Sequence, residues 1–208
     1  MKSNTILGLS GVAGSGKDMF CEILLEKAPD FKKFSLAHKL KEEMRESLLK
    51  EYNIDIFNCS REQKDKVRPK LVERGSVKRK ETNGRHWINQ LEPSILGSQD
   101  SPICITDIRY DDYELDEAFW LQKQLGGILV HVSRYDIINN NKKFVEAPNE
   151  EERRNDPKLK SKADYSLQWP TFESNLKECA GAHVDSFLSW LNGYNEAFKK
   201  DKIRITER

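Results

Sequence analysis

LGLSGVAGSGKDMF, residues 7–20, is the stretch on which the fold turns. A short apolar run ends at Ser10, and glycines follow at 11, 14 and 16. A lysine and an acid then open a run with Met19, Phe20, Ile23 and Leu24 at helical spacing. That order reads as strand, tight loop, helix. Gly11 to Lys17 fits the first seven positions of the phosphate-loop pattern, in the context between strand and helix that the pattern requires. Glycines let the backbone turn its N–H groups toward an anion, and the helix dipole adds about half a positive charge at the same end. Ala13, Gly14, Ser15, Gly16, Lys17 and Asp18 are therefore the candidate nucleotide-binding residues, with Lys17 placed to reach the outer phosphates. A hydroxyl usually follows that lysine. Asp18 puts a carboxylate there instead, a stronger oxygen ligand for Mg²⁺, directly or through water. The expected ligand is ATP with Mg²⁺.

Working outward, the 208 residues suffice for one domain with a sizeable core. A hydrophobic fraction of 37% against 33% charged residues implies long solvated helix faces, and recurring apolar clusters argue against disorder. The net charge of +1 gives no global case for a nucleic-acid partner. Charge is uneven all the same: residues 61–90 carry ten Lys/Arg against four Asp/Glu, and residues 106–119 six acids against one arginine. The four cysteines lack metal-ligand spacing and read as free thiols in a reducing compartment. No run approaches the ~20 apolar residues of a membrane span. The strand pattern at the first residues leaves no room for a leader, so a cytoplasmic protein without membrane association is expected.

Further strands are predicted at 31–36, at ICIT (103–106), at ILVHVS (128–133) and at 164–168. Helices are expected after the second strand with Leu40, Met44, Leu48 and Leu49 on one face, through the basic segment 60–96, over 111–125 up to a Gly126-Gly127 stop, and over 172–199. Pro69 is tolerable if it opens a helix in its first turn. Strands alternating with helices imply an α/β fold with a parallel sheet and right-handed crossovers. Asp107 and Arg109 follow a buried strand and so fall at the carboxyl end of the sheet, where open α/β folds bind ligands.

The segments GVAGSGKD, FSLAHKLKEEM, RPKLVERGSVKRKETNGRHWINQL, ITDIRYDDYELDEAFWLQKQLGGILVHVSR and ADYSLQWPTFESNL occur in an order that resembles bacteriophage-type deoxynucleoside monophosphate kinases, within the P-loop nucleoside monophosphate kinases. The resemblance spans roughly residues 5–190, and GSGKD and DIRY are its most specific parts. It implies a three-layer P-loop NTPase fold with a five-stranded, mostly parallel sheet, all in one domain over 1–208. An acceptor-binding helical region would occupy about 37–96 and a lid about 134–162. The activity implied is transfer of the γ-phosphoryl group of MgATP to a (deoxy)nucleoside monophosphate. Arg68, Arg79 and Arg109 would face the acceptor, with Asp107 orienting metal, water or acceptor. Arg153 and Arg154 would reach in from the lid, and Lys39 and Lys41 border the acceptor. A homodimer is compatible with the resemblance, as is the cytoplasm of a host cell if the source is viral.

Two rival readings stand. A P-loop kinase of another small acceptor, such as dephospho-coenzyme A, shares the "AD" start of the last strand. A non-catalytic nucleotide- and nucleic-acid-binding module would use the cationic 61–90 surface and bind with strong salt dependence. It leaves Arg109 and the lid arginines without a task.

Overall fold

The computed structural model describes residues 5–173 and 176–206. Six strands form one sheet: β1 (Ile6–Ser10), β2 (Lys32–Ser35), β3 (Ile103–Ile108), β4 (Ile128–Ile138), β5 (Asn141–Phe144) and β6 (Tyr165–Pro170). Five of them run parallel in the order β2-β3-β1-β4-β6. The sixth, β5, pairs antiparallel with the far end of β4 from Tyr135 to Ile138. The parallel five-stranded sheet is the one expected from the sequence. The hairpin was not, because the chain there is an exposed run of Asn and Lys without an apolar face.

The helices are α1 (Lys17–Lys27), α2 (Leu36–Tyr52), α3 (Arg61–Glu81), α4 (His86–Leu96), α5 (Glu117–Phe119), α6 (Glu150–Lys162) and α7 (Leu176–Thr206). Strand side chains alternate between the faces of the sheet and feed two cores. Leu7, Leu9, Cys104, Val130 and Val132 pack with α1 and α7, around Phe20 and Phe187. Ile6, Ile103, Ile105 and Leu129 point the other way, toward Trp87, Ile88 and Trp120. Helices therefore cover both faces, giving a three-layer α/β fold. A third, smaller core (Leu48, Ile54, Ile56, Val67, Leu71) joins α2 to α3. Cys21 and Cys104 lie buried with their Sγ atoms 3.6 Å apart, as free thiols.

Two local expectations are corrected. Pro69 lies deep inside α3 and does not open it. The helix starts earlier, where Ser60 and Gln63 form a reciprocal capping box, and it tolerates the missing proline donor within a continuous run. The acidic stretch from Asp111 becomes helical only at Glu117. Asp116 explains the delay: its carboxylate accepts from the backbone N–H groups of Asp112, Tyr113 and Glu117, closing a turn where a helix was expected. α5 then continues as one π-helical turn, Trp120–Gln124, before Gly126 reverses the chain in the left-handed region (φ 63°).

Candidate active site

The glycine loop joins β1 to α1 at the carboxyl edge of the sheet. Gly11, Gly14 and Gly16 all have positive φ, at 131°, 86° and 91°. Space forbids side chains at two of them. A Cβ on Gly11 would lie 2.2 Å from the Val132 carbonyl oxygen, and one on Gly16 2.6 Å from the Trp169 ring. Trp169 is the buried floor of the loop, its indole N–H donating to the Ser15 carbonyl at 2.9 Å. Lys17 is buried, and its amine rests on the Val12 carbonyl at 3.3 Å. Burial, with help from nearby Arg109, lowers its pKa to about 8, against the pull of Asp107, Asp18 and Glu152. Ser15 Oγ is buried without a hydrogen-bond partner. A cationic group and an unsatisfied hydroxyl thus sit beside a ring of backbone donors, which suits an anion.

From this loop a cleft runs between α2, α3 and the end of β3. Along α3, Lys64, Arg68, Leu71, Gly75 and Arg79 recur every three or four residues and so share the face that lines it. Across from them stand Leu36, Leu40 and Lys41 of α2 and the buried Trp87 of α4. Asp18, Asp107, Arg109 and Glu152 close the end nearest the loop. Apolar and charged side chains together line the cleft, a combination that fits a small molecule with an aromatic body and anionic substituents.

Asp107 holds the left-handed backbone conformation, with φ at 67°, uncommon for a residue other than glycine. That turn at the strand end aims its carboxylate at Ser35 Oγ (2.9 Å) and Arg109 (2.8 Å). Burial pushes this carboxyl up, but Arg109 and Lys17 outweigh it and hold Asp107 well below the usual carboxylate range. Arg109 spans two acids, Asp107 and Glu152, and its own backbone N–H donates to Glu117 at 2.6 Å.

The other sequence candidates separate in space. Arg68 lines the cleft and pairs with Asp65 at 2.7 Å. Arg79 reaches the same cleft, yet its guanidinium is buried against Asp116 (2.7 Å) and Glu117 (3.0 Å), with the Tyr110 ring 3.7 Å away. Lys41 lines the cleft; Lys39 does not, and bonds Glu42 at 2.8 Å. Arg153 pairs with Glu150 at 2.6 Å and Arg154 with Asp112 at 2.6 Å, both exposed and outside the cleft lining. Asp18 is exposed in the first turn of α1 and faces the cleft. Among the described residues no group of three His, Cys, Asp or Glu side chains is arranged to hold a metal. One or two carboxylates beside a phosphate loop nevertheless suit Mg²⁺, which takes its other ligands from phosphate and water.

Three groups escaped the sequence reading. Glu152 meets the loop through tertiary packing of α6, which no local pattern announces. Arg134, within β4, flanks Gly14 with its guanidinium, and its Nε is buried without a hydrogen-bond partner. Its place directly after ILVHVS was the available signal. Lys64 shares the helical phase of Arg68, and that phase could have found it. Ser133, His131 and Asp156 form a hydrogen-bonded chain of 3.3 and 3.0 Å, but none of the three lines the cleft. It ties β4 to α6.

No protein-family model matches the chain, and no curated protein is similar to it. Among solved structures the chain is similar to a dephospho-CoA kinase from Campylobacter jejuni. The two are 14% identical over 92% of this chain and 100% of that one, with a TM-score of 0.45. It is also similar to TT1252 from Thermus thermophilus, at 15% identity over 91% of this chain and 99% of that one, with a TM-score of 0.40.

Proposed function

We propose that the protein is an ATP-dependent phosphotransferase that moves the γ-phosphoryl group of ATP to a small nucleotide-type acceptor held in the cleft. The observation that carries this reading is the junction of two anion sites. The glycine loop with Lys17 opens directly onto a cleft whose lining includes the cations Arg109, Lys41, Lys64 and Arg68. Phosphoryl transfer needs little covalent chemistry from a protein. It needs two phosphates in line and dispersal of their charge. Lys17 and the loop N–H groups would hold the donor, Arg134 would flank it beside Gly14, and Arg109 would hold the acceptor. When bound beside Asp18, Mg²⁺ would neutralise charge on the donor phosphates. Residues 134–162 would act as the lid that excludes water, and residues 37–96 as the acceptor region.

A (deoxy)nucleoside monophosphate is the acceptor we favour. A phosphate acceptor arrives already ionised and needs no general base. Asp107, kept strongly acidic by its cations, would be a poor one. A second acceptor class, nucleotides such as dephospho-coenzyme A that accept on a hydroxyl, is favoured by the three further cations of the cleft lining, Lys41, Lys64 and Arg68. These could hold the diphosphate that such an acceptor already carries.

A coupled ADP-release assay across the common ribo- and deoxynucleoside monophosphates and dephospho-coenzyme A separates the two. Turnover with a monophosphate supports the first, and turnover with dephospho-coenzyme A alone supports the second. ADP formation with none of them would overturn both.

A further inference from the structure

Glu152 is the third residue of α6 and is capped by Asn149, whose side-chain oxygen accepts from the Glu152 N–H at 2.8 Å. A carboxylate at this helix position commonly folds back onto the N–H of its own cap residue. Here it reaches across the molecule. One oxygen accepts from the Ala13 N–H of the glycine loop at 2.7 Å. The other accepts from Arg109 Nη1 at 2.7 Å and from Asn149 Nδ2 at 3.2 Å. The side chain is buried, so these contacts are shielded from water. A single internal anion therefore engages a donor of the phosphate loop and the cation assigned above to the acceptor.

We propose that Glu152 is a positioning residue that stands in for phosphate: it engages the Ala13 N–H of the loop, and donor phosphate must displace it, which releases Arg109 toward the acceptor. This rests on reading the loop as a phosphate site. The physical reason is competition. The Ala13 N–H can serve one acceptor at full strength, and a carboxylate and a phosphate held within a few ångströms of each other repel strongly at low dielectric. The neighbouring Glu151 gives the internal comparison. It sits on the same helix but bonds Ser76 Oγ (2.7 Å) and the Tyr110 hydroxyl (2.9 Å), away from the loop. Glu152 thus differs from Glu151 in what it touches and hardly at all in the charge it brings to the region.

The test is calorimetric binding of inorganic pyrophosphate to the full chain and to Glu152→Ala, Glu152→Gln and Glu151→Gln. The Glu152 variants are expected to bind roughly tenfold tighter than wild type, and Glu151→Gln within about threefold of it. A purely structural role for Glu152 would weaken binding when removed, not strengthen it. If Glu152→Ala does not fold, Glu152→Gln, which keeps the shape and loses the charge, decides alone. Unchanged or weaker binding by the Glu152 variants overturns the stand-in role. So does an equal gain in Glu151→Gln, which would assign the effect to overall charge. Absence of pyrophosphate binding in every protein overturns the phosphate reading of the loop itself, and with it this proposal.

Discussion

Lys17 is a buried cation whose amine donates to the Val12 carbonyl and whose charge is opposed by nearby Arg109. Its pKa near 8, against 10.5 for an ordinary lysine, means the fold disfavours its charge by an amount on the order of 3 kcal/mol. Between those two values the unfolded chain binds more protons than the folded one, so this group's contribution to stability rises with pH across that window. Below about pH 8 the penalty is fully present. Lys17→Met should therefore stabilise the nucleotide-free protein by about 1–3 kcal/mol near neutral pH, with the advantage shrinking as pH approaches about 10. Urea unfolding of both proteins at the two pH values checks it; a less stable variant at neutral pH contradicts it. The lysine and its glycines were legible in the sequence, because their roles follow from backbone geometry over a few consecutive residues. Glu152 was not, since 139 residues separate it from Ala13. The choice between Lys39 and Lys41 was legible in principle. Lys41 follows Ala37 by one helical turn on the cleft face, whereas Lys39 falls out of phase.

At the level of elements, one buried group joins α3 to the start of α5. Arg79 spans Asp116 and Glu117, which also cap the turn that follows β3. The family resemblance placed Arg79 with the acceptor-facing arginines. Nothing local announces that two acids from a distant turn meet it. Removing it leaves two buried carboxylates without their cation, so Arg79→Met should destabilise the protein by about 3–5 kcal/mol in denaturant titration. A loss below about 1 kcal/mol would show that the cluster is not closed by Arg79. Glu117 carries a pH signature of its own. Burial pushes its carboxyl up to about 7 despite Arg79, and Asp116 adds to the rise. Because the folded value lies above the ordinary 4.5, this contribution is fully present below that pH and is lost as pH climbs through about 7. Comparing Glu117→Gln with wild type should show the wild type losing relative stability across this window. A constant difference between the two proteins would contradict the assignment. The hairpin of β4 and β5 and the late start of α5 were hidden for a related reason. Both are fixed by pairing or capping, whereas the hydrophobic pattern that sequence reading follows is absent from them.

Across the whole molecule, alternation of strands and helices was enough to predict the parallel sheet, and the uncharged runs ICIT and ILVHVS marked its buried centre. That sheet brings the ends of β1 and β3 together, and so the glycine loop, Asp107 and Arg109, which lie far apart in the chain. The cleft beside them required α2, α3 and α4 to fold over the edge, and its lining could be read only from their relative placement. If the loop carries the donor and the cleft the acceptor, label must pass between them without entering water. The most direct measurement follows the γ-phosphoryl group of labelled ATP in the presence of Mg²⁺ and each monophosphate, for wild type and for Lys17→Ala. The account predicts label in a nucleoside diphosphate, with the rate falling about a hundredfold or more in the variant. Label recovered only as inorganic phosphate, or transfer at equal rates in the two proteins, would contradict it.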